Sequence, residues 1–109
     1  MKFLALYCAP AETLKRTAEP TPEEMEAGMK PWMEWAERCG DKLLDLGNPL
    51  VNPTQINHDN STEPGKREVA GYSFLEVENK EEALKLLKDH PHISWNDTCT
   101  IELLEVAPM

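Results

Sequence analysis

Two histidines that flank a proline are the strongest candidates for chemistry in this 109-residue chain. His90, Pro91 and His92 follow directly after Asp89. Imidazole titrates near neutral pH, so His90 is a candidate general acid or base in a cleft. The alternative is a structural histidine whose ring nitrogens bond nearby backbone groups. The sequence leaves both hypotheses open.

The same cluster has the residue types of a metal site without the usual spacing. Pro91 restricts how two neighbouring histidines can converge, and no third ligand stands at a familiar distance along the chain. Glycine-rich phosphate loops and nucleophile elbows are also absent from the sequence. We therefore expect neither a metal nor a cofactor.

Aromatic residues suggest a second kind of site, an apolar pocket for a small molecule. Large aromatics at helical spacing also occur in cores and dimer interfaces, so packing is the alternative. Asn57, His58 and Asp59 could rim such a pocket, although residues of these types more often form exposed turns. Trp35 could line the pocket as well, and the candidate ligand-binding residues are Tyr7, Trp32, Tyr72, His92 and Trp95.

The amino-acid composition indicates which classes of binding partner are disfavoured and in which cellular compartment we expect the protein. The formal net charge is −9, which disfavours nucleic acid and anionic membranes. The three cysteines form no CxxC pair and lie in or beside apolar runs, as reduced thiols of a cytoplasmic protein do. We expect one domain spanning residues 1–109.

The element that positions His90 is a strand followed by a capped helix. Residues 69–77 are mostly apolar or small and predict a buried strand. Asn79 and Glu82 have the spacing of a capping box for a helix over residues 80–89. Ala83 and Leu87 lie on its apolar stripe, which His90 continues. Pro91 then stops the helix, and residues 90–96 are expected to form a loop.

An earlier helix begins at Thr21, which can cap it, with Pro22 at its first position. Pro31 lies inside the pattern and should kink or split the helix. Gly40 is placed to end it. Trp35 and Met33 flank its apolar face, which contains Met25, Gly28, Met29, Trp32, Ala36 and Cys39.

The remaining strands complete a β-α-β-β-α-β order, the ferredoxin-like arrangement of an α+β protein. We predict strands over residues 3–8, 43–46 and 100–106. Residues 47–66 should either form a small hairpin or become ordered against a partner. The four main strands should be antiparallel, with two helices on one face. Since the first and third strands are apolar on both faces, a second subunit should cover the other face.

The chain resembles the YCII-related (DGPF-type) proteins, small bacterial proteins of the dimeric α/β-barrel class. The resemblance covers most of the chain from Thr21 onward and rests on three stretches, TPEEMEAGMKPWMEWAERCGDKLLDLGNPL, GYSFLEVENKEEALKLLKDHPHISW and TIELLEV. Two features differ: HDNSTEPGKREV replaces the Asp-Gly-Pro-Phe segment, and the first strand ends YCAP, without a histidine found in some members.

The resemblance implies a homodimer with a small-molecule pocket in each barrel. Two functions fit this expectation. One is a cofactor-independent lyase or isomerase in which His90 transfers a proton. The other is a ligand-binding or regulatory module without catalysis.

Overall fold

The structure is a computed structural model that describes residues 1–10, 22–65, 68–95 and 97–108, apart from the side chains of Glu24, Met25 and Trp95. A 3-10 turn, Gly40–Lys42, follows the first helix. The helices and strands are β1 Lys2–Cys8, α1 Pro22–Cys39, β2 Leu43–Asp45, β3 Thr54–Ile56, β4 Thr62–Pro64, β5 Val69–Glu76, α2 Lys80–Leu87, α3 Pro91–Trp95 and β6 Thr100–Glu105.

Four strands form one antiparallel sheet in the order β2-β5-β1-β6. The predicted ferredoxin-like topology is confirmed, with the first and third main strands in the centre and the other two at the edges. In β1, Ala5 lies between Ser73 of β5 and Leu103 of β6. This register places alternate residues of the central strands on the same face.

The core lies between one face of the sheet and helices α1 and α2. Phe3, Ala5 and Tyr7 of β1 point to this face and are buried. The helices contribute buried side chains to the same cluster, among them Trp35, Cys39, Ala83 and Leu87. The opposite face contains Leu4, Leu6, Tyr72, Phe74 and Leu104, which are half-buried or exposed.

Helix α1 differs in two ways from its predicted pattern. It runs through Pro31 without being split. Its buried face is also rotated, because Trp35 is in the core whereas Gly28 and Met29, expected on the packed face, are exposed. The proposed Thr21 cap lies outside the described residues. None of the described helices is long and apolar enough to cross a membrane.

The segment between β2 and β5 contains the expected hairpin, formed by β3 and β4. Asn57 and Asp59 build its turn: the Asn57 amide donates to the Ser61 carbonyl, and the Asp59 carboxylate accepts from the Ser61 amide. His58 is exposed at the tip. At the base of this segment, a bridge from Pro49 to Gly71 continues the sheet edge.

Candidate ligand site around His90

Helix α2 delivers the chain to His90 as the sequence indicates. The Asn79 side chain accepts from the Glu82 amide at 2.9 Å, so the predicted cap is present. The Glu82 carboxylate pairs with Lys42 at 3.3 Å. After the helix ends at Leu87, Asp89 adopts a left-handed conformation with φ of 57°, which turns the chain back toward the sheet.

His90 caps a third helix, which corrects the prediction of a loop over residues 90–96. Its ring nitrogen Nδ1 accepts from the His92 amide at 3.0 Å, and its carbonyl accepts from the Ser94 amide at 3.1 Å. Pro91 takes the first position of α3, where its missing N–H costs nothing. The proline therefore ends one helix and also begins the next.

The His90 ring is enclosed by aromatic rings and has no solvent exposure. Tyr7 stacks on it, with 4.8 Å between ring centroids and 23° between planes. Trp32 and Trp35 contact it at steep angles, with centroids 4.6 and 4.4 Å away. Three aromatic rings from α1 and β1 thus form a box around one imidazole.

One nitrogen of this buried ring is the exception among the buried side-chain polar atoms of the described residues. Among the described residues, Nε2 of His90 has no acceptor or donor within reach. Because Nδ1 accepts a backbone N–H, the neutral ring carries its proton on Nε2. A buried, unpaired N–H of this kind costs about 1–3 kcal/mol. The arrangement leaves a hydrogen-bond donor inside an aromatic box.

Burial also determines the charge states of the His90 and Tyr7 side chains. It lowers the pKa of His90 from 6.5 to about 3, with smaller contributions from His92 and Arg38. Burial raises the pKa of Tyr7 to about 12, despite the bond that its hydroxyl makes to Ser73. Both rings are therefore neutral at pH 7.

A buried hydroxyl chain holds Tyr7 in place. Its hydroxyl donates to Oγ of Ser73 at 2.6 Å, and Ser73 donates to the Leu46 carbonyl at 2.6 Å. The proton of the Tyr7 hydroxyl therefore already makes a hydrogen bond, to Ser73. Tyr7 contributes to the box through its ring, which stacks on His90.

Two further side chains fix the elements around the box. The Nε2 atom of His92 lies 2.8 Å from the Cys8 carbonyl and donates to it, which ties α3 to β1. The indole N–H of Trp35 donates to the Leu86 carbonyl at 2.7 Å, and Arg38 reaches the same carbonyl at 3.4 Å. Helix α1 thereby satisfies a backbone group at the end of α2.

The structure brings together five of the seven predicted catalytic and pocket residues. They meet on the helix-covered face of the sheet and are His90, His92, Tyr7, Trp32 and Trp35. Tyr72 lies on the opposite face, where it contacts Phe74. The side chain of Trp95 is not among those that the structure describes.

The sequence does not predict that Ser73 belongs to this cluster, whereas Trp35 is one of its candidate pocket residues. Trp35 lies three residues after Trp32, so helical spacing already puts the two on neighbouring faces. Ser73 lies diagonally across from Tyr7, a neighbour that can be named only once the register of β1 and β5 is known.

The described residues also contain three cysteine thiols, of which Cys39 lies in the same buried cluster as Tyr7 and Trp35. Burial raises the pKa of the Cys8, Cys39 and Cys99 thiols, which keeps them protonated. Within the described ranges, no group of three or more His, Cys, Asp or Glu side chains is placed to hold a metal ion. A surface groove beside α2 contains none of the predicted site residues; it is lined by Lys42, Asn79, Glu81, Glu82, Lys85 and Leu86.

Comparison with known proteins identifies the fold. No family model matches the sequence, and no curated protein matches it. Among solved structures, the chain is similar to 5-chloro-2-hydroxyhydroquinone dehydrochlorinase from Burkholderia phenoliruptrix, in complex with 2,5-dihydroxybenzoquinone. The identity is 14%, the TM-score is 0.56, and the match covers 98% of this chain and 94% of that one. With the observed topology, this likeness supports the ferredoxin-like fold.

Proposed function

We propose that this protein binds a small, planar, oxygen-bearing molecule at the His90 box. The observation that carries the proposal is the buried Nε2–H of His90, which is unpaired among the described residues and walled by aromatic rings. A carbonyl or hydroxyl oxygen would satisfy this donor, and the rings of Tyr7 and Trp32 would pack against the body of the ligand. His92 would support the site by fixing α3.

A cofactor-independent lyase or isomerase reaction is the chemistry that this geometry supports best. In such a reaction, a base on the ligand or outside the box takes the proton of a C–H bond next to a carbonyl group, and the electron pair of that bond moves onto the carbonyl oxygen as negative charge. A neutral imidazole N–H can stabilise that oxygen. Since the pKa of His90 is about 3 and Nδ1 already accepts a bond, we assign His90 the role of donor to the oxygen.

The alternative is a ligand-binding or regulatory module without turnover, and one observation favours it. At pH 7 both His90 and Tyr7 are neutral, and the Tyr7 hydroxyl already donates to Ser73. These groups can hold a ligand but provide no strong base to take a proton from it. A separate base would have to come with the ligand or from outside the box.

We further propose a homodimer of the YCII-related kind, joined through the open face of the sheet. Support comes from Leu4, Leu6, Phe74 and Leu104, which the helices leave uncovered on this face. Lys2 lies 4.8 Å from the centre of the Phe74 ring and covers part of it. Tyr72 would then line the space between two sheets, separate from the His90 box.

Calorimetric titration with 2,5-dihydroxybenzoquinone and a panel of phenols and lactones tests the binding proposal. The quinone is chosen because it is planar and carries several acceptor oxygens. His90→Asn keeps an acceptor for the His92 amide and removes the Nε2–H. We expect wild type to bind a panel member and His90→Asn to lose about tenfold or more in affinity, the effect of a missing buried hydrogen bond.

His58→Asn makes the same exchange at an exposed hairpin position and should bind as wild type does. Product analysis of the bound panel member separates turnover from binding alone. If wild type binds nothing, or His90→Asn binds equally well, the proposal fails.

A further inference from the structure

The hairpin of β3 and β4 has two different faces, and both are exposed. On one face the Gln55 side-chain amide donates to the Glu63 carboxylate at 2.8 Å, directly across the hairpin. Because neighbouring residues of a strand alternate, the two flanking pairs lie on the other face. This uncharged face consists of Thr54 with Pro64 and Ile56 with Thr62, and Ile56 is 71% exposed.

The hairpin is too small to be stable by its own backbone pairing. Its strands are three residues long each and form a sheet separate from the main one. An isolated two-stranded hairpin is marginally stable at best in water and needs packing against another element. The hairpin is nevertheless regular, and the Gly65 amide closes its base by donating to the Pro53 carbonyl at 2.9 Å. Packing of the uncharged face on another surface would supply the missing stability.

The chain leading to the hairpin is fixed to the main sheet, which determines where the hairpin starts. The Leu50 amide donates to the Ala70 carbonyl at 2.9 Å, next to the bridge from Pro49 to Gly71. Val51 follows and is 62% exposed, so the connection is apolar as well. The hairpin therefore leaves from an edge of the sheet whose open face is the proposed dimer interface.

The open face of the main sheet supplies only part of a typical dimer interface. Strands β2, β5, β1 and β6 are 3, 8, 7 and 6 residues long, and alternation places about half of these residues, about 12, on the open face. A stable interface takes about 20–30 residues from each partner. The remaining contacts have to come from elements beyond the sheet, and the hairpin joined to its edge offers an uncharged surface for them.

The charge of the protein also favours this surface for contact between two copies. With a formal net charge of −9, two copies repel each other wherever their acidic surfaces meet. The face that contains Ile56 has no charged residue, whereas Glu63 lies on the face that would remain in water. A twofold axis through the open sheet face would use the hairpins of both copies in the same way.

We infer that the β3–β4 hairpin is an arm that packs its uncharged face on a second copy of this chain. Each copy gives one arm and receives one, beside the contact between the two open sheet faces. The inference rests on the proposed dimer and adds to it the contacts that the sheet face lacks. Ile56, the large apolar residue of the arm, is its main contact.

Photo-crosslinking in the full chain tests what the arm touches. The photoreactive residue p-benzoylphenylalanine replaces Ile56 in one protein and Glu63, on the opposite face of the hairpin, in a second. Both proteins are irradiated and analysed by denaturing electrophoresis and mass spectrometry. We expect position 56 to give a crosslinked product of twice the chain mass, with at least fivefold the yield from position 63. Crosslinks within one chain only, equal yields from the two positions, or no crosslinks at all would overturn the arm.

The dimer dissociation constant, measured by sedimentation over a dilution series, gives the energetic test. Ile56→Thr keeps a β-branched residue in the strand but removes apolar surface, and the exchange occurs twice in a symmetric dimer. We expect the dissociation constant to rise about tenfold. Leu84→Thr makes the same exchange at a half-exposed position on the outer face of α2 and should change nothing. A dissociation constant for Ile56→Thr equal to that of wild type would refute the inference.

Leu6→Glu, on the open face of the sheet, separates this inference from the proposed dimer interface. If Leu6→Glu stays dimeric while Ile56→Thr weakens the dimer, the arm stands and the sheet interface fails. If Leu6→Glu dissociates the dimer while Ile56→Thr leaves it unchanged, the sheet interface stands and the arm fails. A wild-type protein that is monomeric refutes both.

Discussion

Acid should destabilise this protein through His90, because protonating a buried imidazole places a charge among three aromatic rings. The unfolded residue titrates near 6.5, whereas burial lowers its pKa in the folded state to about 3. Between these two values the unfolded chain binds more protons than the folded one. The free energy of unfolding therefore rises with pH across this window, and His90 weakens the fold as pH falls from 6.5 toward 3.

The size of the effect follows from the two pKa values. Each pH unit inside the window is worth about 1.4 kcal/mol per proton. From pH 7 to pH 5 the unfolded histidine gains most of its proton while the folded one stays neutral. His90 should therefore lower the free energy of unfolding by about 2 kcal/mol over this range. That is a large share of the 5–15 kcal/mol typical of a folded domain.

Urea denaturation at pH 7 and pH 5 measures this loss in wild type and in His90→Asn. The asparagine can still accept from the His92 amide but does not titrate. Carboxylates contribute equally to both proteins, so the difference between their pH effects isolates His90. His58→Asn, at the exposed hairpin tip, should retain the full wild-type pH effect.

A pH effect in His90→Asn equal to that of wild type would contradict a lowered pKa of the folded His90. It would mean that the folded His90 takes up a proton as readily as the unfolded one. The ring would then have an ionised or water-filled environment, and its role as a neutral donor would be lost.

Three further predictions concern the framework of the site. Trp35→Phe should lower the free energy of unfolding by about 1–2 kcal/mol in urea denaturation, because the Leu86 carbonyl loses its 2.7 Å donor; an unchanged midpoint would contradict this. Gly47→Ala should lower the free energy of unfolding by more than about 1 kcal/mol, because Gly47 has φ of 79° and the added methyl group would collide with the Tyr72 backbone. A free energy of unfolding equal to that of wild type would count against the described turn. Leu6→Glu should yield a folded monomer by light scattering, whereas Leu84→Glu on the outer face of α2 should remain dimeric; a dimer in both would refute the proposed interface.

The topology could be predicted because its signals are local. Alternating apolar residues define the central strands, and Asn79 caps α2 at the expected place. The hairpin was also predictable, since Asn57 and Asp59 favour a turn through their own side chains. Each of these signals depends on residues only a few positions apart.

The details of the box could not be predicted, because they depend on contacts between distant segments. Pro91 indicates the end of a helix, yet whether it also begins α3 depends on His90 reaching the His92 amide. The pairing of Tyr7 with Ser73 depends on strand register. The periodicity of apolar residues does not fix the rotation of α1 about its axis to within one residue. That rotation decides which tryptophan of α1 is buried.

Ligand binding at the His90 box can be followed through the ¹⁵N resonance of His90 Nε2 during titration with 2,5-dihydroxybenzoquinone as the probe. We expect binding to shift this resonance and to slow exchange of its proton, because the Nε2–H group acquires an acceptor. The exposed His58 should show neither change. A bound probe that leaves the Nε2 signal of His90 unmoved would contradict the assignment of this box as the ligand site.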